Sequence, residues 1–251
     1  MRVLLLGGTA EGRALATRLH AGASDATGNG PEVDVVSSLA GRVPDPALPV
    51  GEVRVGGFGG VDGLARWIAE HHVDAVVDAT HPFAATITAH AATACRRLDV
   101  PYVVLARPAW PNGGAIVVGS DAHAAEVVVG HGFSRVFLTT GRSGTTAFAG
   151  VDAWFLIRAV TAPDGKTLPP RHRLVLSRGP YRYDDELKLM REHHIDAVVT
   201  KNSGGDMTRA KLDAADALGV AVVMVDRPAL PDGVTTVSTV DAAVDWVRAR
   251  E

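Results

Sequence analysis

One cysteine, Cys95, stands in the whole chain, which excludes an intramolecular disulfide framework and any metal site built from several thiolates, and fits a reducing compartment. Its alanine-rich neighbours place it on the buried face of a helix. Excess positive charge is also missing. At a net charge of −3 the chain has no general attraction for nucleic acid or an anionic membrane, so any acidic ligand must be met by locally placed Arg and Lys. No apolar run approaches the length of a membrane span, and the VLLL stretch before Gly7 is too short for a secretory signal, so a cytoplasmic location is expected. Neither a phosphate loop of the G-x-x-x-x-G-K type, an H-E-x-x-H zinc helix, a G-x-S-x-G elbow nor a C-x-x-C pair occurs. With 47% hydrophobic and 21% charged residues, the composition is that of an ordinary folded chain rather than a disordered one.

What the sequence does contain is a construction used twice. EHHVDAVV at residues 70–77 returns as EHHIDAVV at residues 192–199, and RPAWPNG at 107–113 returns as RPALPDG at 227–233. RVLLLGGTAEG at 2–12 has a fainter partner in RVFLTTGRSGT at 135–145. A repeat of this length is domain-sized, so solenoids are excluded and two lobes are expected. The predicted border falls near residues 131–133: an N-terminal Rossmann-like lobe over 1–131 and a C-terminal Rossmann-like lobe over 132–251, with a cleft between them.

Short β-branched runs alternate with helical patterns, which predicts an α/β fold with mainly parallel sheets. Strands are expected at 3–6, 33–37, 75–78, 102–105 and 116–118, then at 136–139, 174–177, 197–200, 221–225 and 235–238. Helices are clearest at 84–98, 184–193 and 208–218, the first closing at Asp99 and the last at Gly219. Runs such as VLLL and AVVM lack polar alternation, as parallel strands covered on both faces do. Residues 23–31, 43–50 and 162–170 read as surface loops. Each half ends in one more strand and helix after its RPA-x-P turn, and the sequence leaves open which sheet that strand joins.

In open parallel sheets ligands bind beyond the C-terminal strand ends. The first such loop supplies Gly7, Gly8, Thr9, Glu11 and Gly12 ahead of a helix, a setting suited to pyrophosphate, although Thr9 occupies the middle glycine of the usual G-x-G-x-x-G pattern. At the second strand's tip, Ser38, Gly41 and Arg42 stand where an acidic residue would hold a ribose hydroxyl, which points to NADP over NAD. After the third comes DATHPFA, with Thr80, Pro82 and Phe83 against the cofactor, Thr80 or His81 as a helix cap, and His81 open to proton transfer. The second half offers Thr140, Gly141 and Arg142, then Arg178, Gly179 and Tyr181, then Lys201, Asn202, Ser203 and Gly204. Three cations at strand ends of a net-negative chain fit an anionic ligand. The pairs His71–His72 and His193–His194 point in different directions along a helix, so no metal is assigned to them.

GGTAEGR, DATHPFA, RPAW, LTTGR, SRGPY and VVTKNSGG, in that order and across nearly the whole chain, resemble the precorrin-6A reductases of cobalamin biosynthesis. The resemblance implies reduction of one double bond of the precorrin-6A macrocycle to give precorrin-6B, with NADPH as hydride donor. A related enzyme acts on the cobalt-containing macrocycle, and no residue here separates the two. The substrate's acetate and propionate groups would give Arg142, Arg178 and Lys201 their partners, and His81, Tyr181 and Lys201 are the candidate proton donors. No nucleic-acid or membrane partner is expected. A two-lobed sensor of NADP(H) or a small anion, and an NADP-dependent reductase of another carboxylated molecule, are the competing readings.

Overall fold

The computed structural model describes residues 1–21, 33–41 and 47–250. The loop expected over 23–31, the first part of that over 43–50, and the candidate Arg42 lie outside the described residues. The first elements are β1 (Arg2–Leu6), α1 (Ala10–Ala21), β2 (Asp34–Leu39), β3 (Glu52–Val55), α2 (Gly60–Glu70), β4 (Ala75–Asp78), α3 (Ala85–Leu98) and β5 (Tyr102–Leu105). Next come β6 (Ile116–Val118), α4 (Asp121–Gly130), β7 (Arg135–Leu138), β8 (Trp154–Ala159), β9 (His172–Leu176) and α5 (Tyr183–Glu192). Last are β10 (Ala197–Lys201), α6 (Ala210–Leu218), β11 (Ala221–Val225), β12 (Thr235–Val237) and α7 (Val240–Arg248). No described helix is long and apolar enough to cross a membrane.

Each sheet is parallel throughout and covered on both faces. In β1, Val3 and Leu5 pack with Leu15, Ala16 and Leu19 of α1 and with Val244 and Val247 of α7. Leu4 and Leu6 point the other way, against Leu64 and Ile68 of α2 and Ala91, Ala94 and Cys95 of α3. That double burial explains the unbroken apolar run, since both residue sets leave water, each large side chain contributing about 1.5–3 kcal/mol. The second sheet repeats the arrangement, with Phe137, Leu156 and Val198 packed against Met190 of α5 and Ala214 and Ala215 of α6. Beside β8, Phe148 meets Phe155 edge-on.

The strand orders are β12-β5-β4-β1-β2-β3 and β6-β11-β10-β7-β8-β9. This corrects the expected border near residue 131. The compact units are Met1–Arg107 with Pro228–Glu251, and Pro108–Arg227. Strand β6, with α4, belongs to the second unit although it lies in the first half of the sequence, and β12, with α7, belongs to the first. The chain passes from one unit to the other within each RPA motif, between Arg107 and Pro108 and between Arg227 and Pro228. Repeated sequence identifies equivalent segments, but the hydrogen bonds that join parallel strands are made by the backbone and do not distinguish one copy of an edge from the other. Strands β3 and β8 were also not expected: β3 is a short edge strand with little burial, and β8 carries the charged Arg158 within its own buried run.

The duplicated EHHxD motif has a structural role in both copies. The first histidine caps its helix and lies against tryptophan, His71 stacking 4.1 Å from Trp67 and His193 5.4 Å from Trp154. The second histidine takes the left-handed conformation, φ 50° at both His72 and His194. The aspartate then fastens the start of the sheet's first strand: Asp74 Oδ2 accepts from Arg2 N at 2.6 Å, and Asp196 Oδ2 accepts from Ser134 N at 2.8 Å. All of this lies at the N-terminal ends of the strands, away from the loops that follow them.

In the second unit, Arg227 Nε donates to Asn202 O at 2.8 Å and its Nη2 to Pro108 O at 3.1 Å. Gly204 fits against this junction. Its φ is +66°, and a Cβ there would fall 2.2 Å from Pro108 O and 2.4 Å from Arg227 Nη2. Below lies a charged interior. Arg158 pairs with Glu186 through contacts of 2.5 and 2.9 Å, with its guanidinium 3.6 Å from the Tyr181 ring centre. Lys211 is 4% exposed, donates to Thr208 O at 2.7 Å, and lies 4.6 Å from the Trp110 ring. Burial pushes its ammonium down to about 7, Arg158 adding to the effect and Glu186 opposing it.

Two outcomes follow from this interior. Gly204→Ala combines a left-handed backbone with a backbone clash and is expected to lose at least about 2 kcal/mol in urea unfolding; an unchanged midpoint would remove the packing argument. Lys211 in the unfolded chain stays protonated up to its ordinary 10.5, so between about 7 and 10.5 the unfolded state binds more protons and wild-type stability rises with pH. Lys211→Met lacks that dependence. Its stability relative to wild type should therefore be more favourable at about pH 7 than at about pH 9.5, and an equal difference at both would refute the buried-charge cost.

Candidate active-site loops

The loop after β1 is built as a helix entrance. Thr9 caps α1 by accepting from Gly12 N at 3.0 Å, while its hydroxyl donates to Ala79 O at 2.7 Å in the loop after β4. A glycine here could do neither, which accounts for the departure from G-x-G-x-x-G. Gly7 N donates to Ser38 O at 3.0 Å, tying the same turn to β2. Gly8 has φ +115°, and nothing lies within 4 Å of where its Cβ would be. The first amides of α1 have no acceptor within the helix, and its dipole favours an anion at this end. Gly12 sits close to Ala79, with a Cβ contact of 3.5 Å, so its small size serves helix–strand packing. Glu11 is engaged by Arg107 at 2.7 Å.

At the tips of β2 and β3, Ser38 Oγ accepts from Arg54 Nη1 at 2.8 Å. Arg54 also donates to Gly56 O and Gly57 O and stacks 3.8 Å from the Phe58 ring centre, and desolvation lowers its pKa. Gly41 has φ +69°, with Val55 Cγ1 3.0 Å from a Cβ there. Sequence reasoning passed over Arg54, whose place was hidden because β3 was not recognised.

The loop after β4 is organised by Asp78, 1% exposed. Its carboxylate accepts from Thr80 N and Oγ1 at 2.9 and 2.6 Å, from Thr88 Oγ1 at 2.7 Å and from the Tyr102 hydroxyl at 3.0 Å. Burial, with the Asp78 charge second, raises the Tyr102 pKa and pushes the Cys95 thiol up to about 12, which makes that thiol inert. Thr80 is thus a loop-ordering residue rather than a helix cap. The expected cap is corrected: α3 begins after Ala84 without a side-chain cap, and residues 81–84 form a turn with Ala84 N donating to His81 O. Pro82, which lacks an N–H, and Phe83 fall in that turn, and the Phe83 amide donates to His81 Nδ1 at 3.2 Å. His81 is exposed, and Pro82 and Phe83 are half-buried.

The second unit's loops differ at each equivalent place. After β7, the chain turns through Gly141 at φ +77° into a short 3-10 helix, Thr145–Phe148, where the first unit has α1. Thr140 is 4% exposed with its Oγ1 lacking a hydrogen-bond partner, and Arg142 is exposed. After β9, residues 179–181 lie against Met207: Tyr181 N donates to Met207 O at 3.1 Å, and a Cβ on Gly179 would lie 2.8 Å from that same oxygen. The Tyr181 hydroxyl donates to Ser177 O at 3.0 Å, and Arg178 is exposed. After β10, Asn202 is 2% exposed and grips the Trp110 backbone, accepting from its N at 2.9 Å and donating to its O at 3.2 Å. Ser203 N turns back to Lys201 O at 2.7 Å. Lys201 Nζ lies 3.2 Å from Asp121 Oδ2.

Asn202 and Gly204 therefore have full structural employment around Trp110 and the junction at Pro108. Arg142 and Arg178 present charge outward, whereas Lys201 is neutralised by a partner that the sequence did not suggest. Asp121 heads α4, which the sequence places in the other half. Asp78 carried a weak signal, as the last residue of a strand followed by two hydroxyl-bearing threonines within reach.

A family profile described as precorrin-6x reductase CbiJ/CobK matches residues 2–248. A precorrin-6A reductase of Mycobacterium tuberculosis is 67% identical over 98% of this chain and 97% of its own length. That of Rhodococcus erythropolis is 55% identical with the same coverage. A cobalt-precorrin-6A reductase of Methanothermobacter thermautotrophicus is 32% identical over 91% of this chain and 77% of its own. A solved structure titled CobK precorrin-6A reductase superposes with a TM-score of 0.87 at 35% identity, covering 100% of this chain and 97% of that one. With the profile spanning nearly every residue and the two-sheet architecture matched throughout, the chain belongs to the precorrin-6x reductase family.

Proposed function

We propose that the chain reduces one double bond of the precorrin-6A macrocycle to give precorrin-6B in cobalamin biosynthesis, in the cytoplasm, with NADPH as the reductant. Membership of the reductase family supports the reaction. The observation that carries the division of labour is the difference between equivalent loops: Gly7–Gly8 and the Thr9-capped α1 in the first unit, against a 3-10 turn and the outward Arg142 in the second.

The first unit's residues fit a dinucleotide. Gly8 leaves open space at the helix entrance and the α1 terminus suits a pyrophosphate. Ser38 and Gly41 lie at and just after the tip of β2, and Arg42, next in sequence, is assigned the ribose 2′-phosphate. Bound there, the reduced nicotinamide supplies the hydride equivalent. The Asp78 network holds the turn carrying His81, Pro82 and Phe83 in one conformation, giving the cofactor a fixed wall. In the second unit Arg142 and Arg178 bind the substrate's carboxylates. Of the three candidate proton donors, the Tyr181 hydroxyl is turned to Ser177 O, whereas His81 accepts the Phe83 amide at Nδ1 and so carries its proton on Nε2, which leaves His81 and Lys201 as the acids to weigh.

Purified protein incubated with NADPH and precorrin-6A should lose absorbance at about 340 nm as the tetrapyrrole bands shift, whereas binding without oxidation would favour the sensor. Arg142→Ala and Arg178→Ala should each raise KM for the tetrapyrrole about tenfold, the loss of one charge-assisted hydrogen bond, with KM for NADPH unchanged. Unchanged tetrapyrrole KM in both would remove the anion-binding assignment. Arg42→Ala should narrow the preference for NADPH over NADH about tenfold, and an unaltered preference would show that Arg42 does not read the 2′-phosphate.

A further inference from the structure

Asp121 spends one carboxylate oxygen on Lys201, at 3.2 Å, with the two side chains 25% and 14% exposed. Its other oxygen, Oδ1, is buried without a hydrogen-bond partner, and so is Thr140 Oγ1. A Cβ on Gly144 would lie 2.3 Å from Thr140 Oγ1 and 3.0 Å from Asp121 Oδ1, so only glycine lets the backbone pass this close to both buried oxygens. Buried polar atoms are nearly always satisfied in folded chains, and two unsatisfied ones on either side of one glycine, beside an ammonium at a strand's C-terminal end, mark a place built for hydrogen bonding to something else.

We propose that Lys201, Asp121 and Thr140 form a proton-delivery centre, with Lys201 the catalytic acid and Asp121 and Thr140 its positioning residues. The inference rests on the reading of the chain as a tetrapyrrole reductase. Because Asp121 already neutralises it, Lys201 offers a substrate carboxylate less than the exposed Arg142 and Arg178 do. The pair is better suited to holding one N–H bond in a fixed direction. In the reduction, one carbon of the double bond takes the hydride equivalent of reduced nicotinamide, which is thereby oxidised to its pyridinium form. The π pair forms a bond to a proton from Lys201 Nζ at the other end. The N–H bond breaks with its electron pair left on nitrogen, and a solvent proton restores the ammonium. Asp121 Oδ2 aims the ammonium, and Thr140 Oγ1, across Gly144 from Asp121 Oδ1, keeps the carboxylate's other side polar.

The test compares Asp121→Asn, Asp121→Glu and Thr140→Val with wild type, after circular dichroism has shown each to be folded. In single turnovers with NADPH and precorrin-6A, Asp121→Asn should lower kcat about tenfold or more, within the roughly 100- to 10,000-fold worth of general acid catalysis, leaving both KM values within about twofold. Its solvent deuterium isotope effect should increase, Asp121→Glu should recover much of the rate, and Thr140→Val should lower kcat with the same sign of isotope effect. Independently of turnover, Lys201 should be acylated faster by acetic anhydride in Asp121→Asn, read by peptide mass spectrometry. Wild-type kcat and isotope effect in both Asp121→Asn and Thr140→Val, or a loss confined to KM, would overturn the proposal. Wild-type protein that does not oxidise NADPH with this substrate would instead overturn the functional reading, while the acylation comparison would still report whether Asp121 governs Lys201.

Discussion

Backbone hydrogen bonding at two sheet edges decides most of what this chain can do. Strand β12 adds to β5 with Thr235 opposite Val103, and β6 adds to β11 with Ile116 opposite Val223. Each edge is completed by a segment from the other half of the sequence, and the helix that follows comes with it. Helix α4 thereby brings Asp121 to Lys201, and α7 brings Val244 and Val247 onto the core beside α1. Without the exchange, Lys201 would lack its carboxylate, and the first sheet would lose part of one covering face. The two RPA motifs mark the crossings, and their arginines have diverged, Arg107 pairing with Glu11 while Arg227 binds the backbone at Asn202 and Pro108.

A duplicated scaffold can keep its layers alike while its strand-end loops differ. The repeat preserves what a parallel sheet needs: helix stops at His71–His72 and His193–His194, aspartates that fasten the first strand, and strands buried on two faces. It relaxes at the opposite ends. Where one copy has a capped helix entrance suited to an anion, the other has a 3-10 turn and a buried, unsatisfied threonine; where one has an aspartate ordering a turn, the other has Thr200, followed by a lysine held by an ion pair. Strand-end positions contribute little to the core, so they can change without disturbing the layers beneath.

The buried polar groups follow the same division. Asp78 is saturated by Thr80, Thr88 and Tyr102, and such a network fixes one conformation of the loop it serves. Arg158 and Glu186 pair completely, and Lys211, short of a carboxylate of its own, meets its environment through Thr208 O and a depressed pKa. Only around Gly144 are two buried oxygens left over near a cation, which sets that place apart from the structural networks among the described residues.

Much of the fold was legible in the sequence because it depends on local pattern. Continuous apolar runs gave β1, β4, β5, β10 and β11, the left-handed closures at Asp99 and Gly219 ended α3 and α6, and the alternation with helices gave parallel sheets. Six ordered motifs were enough to point to the family. Strand β3 escaped because an exposed edge strand needs no apolar pattern, and Arg54 escaped with it. The cap at Thr80 was misplaced because its hydroxyl is taken by Asp78, a competition between nearby acceptors that composition does not rank. By itself, then, the sequence determined the scaffold, the repeat and the chemistry of each strand-end loop, since these follow from side-chain polarity and spacing. Which edge each last strand joins, and hence that Asp121 stands beside Lys201, was decided only in the tertiary structure, because strands pair through a backbone that is the same at every residue except proline.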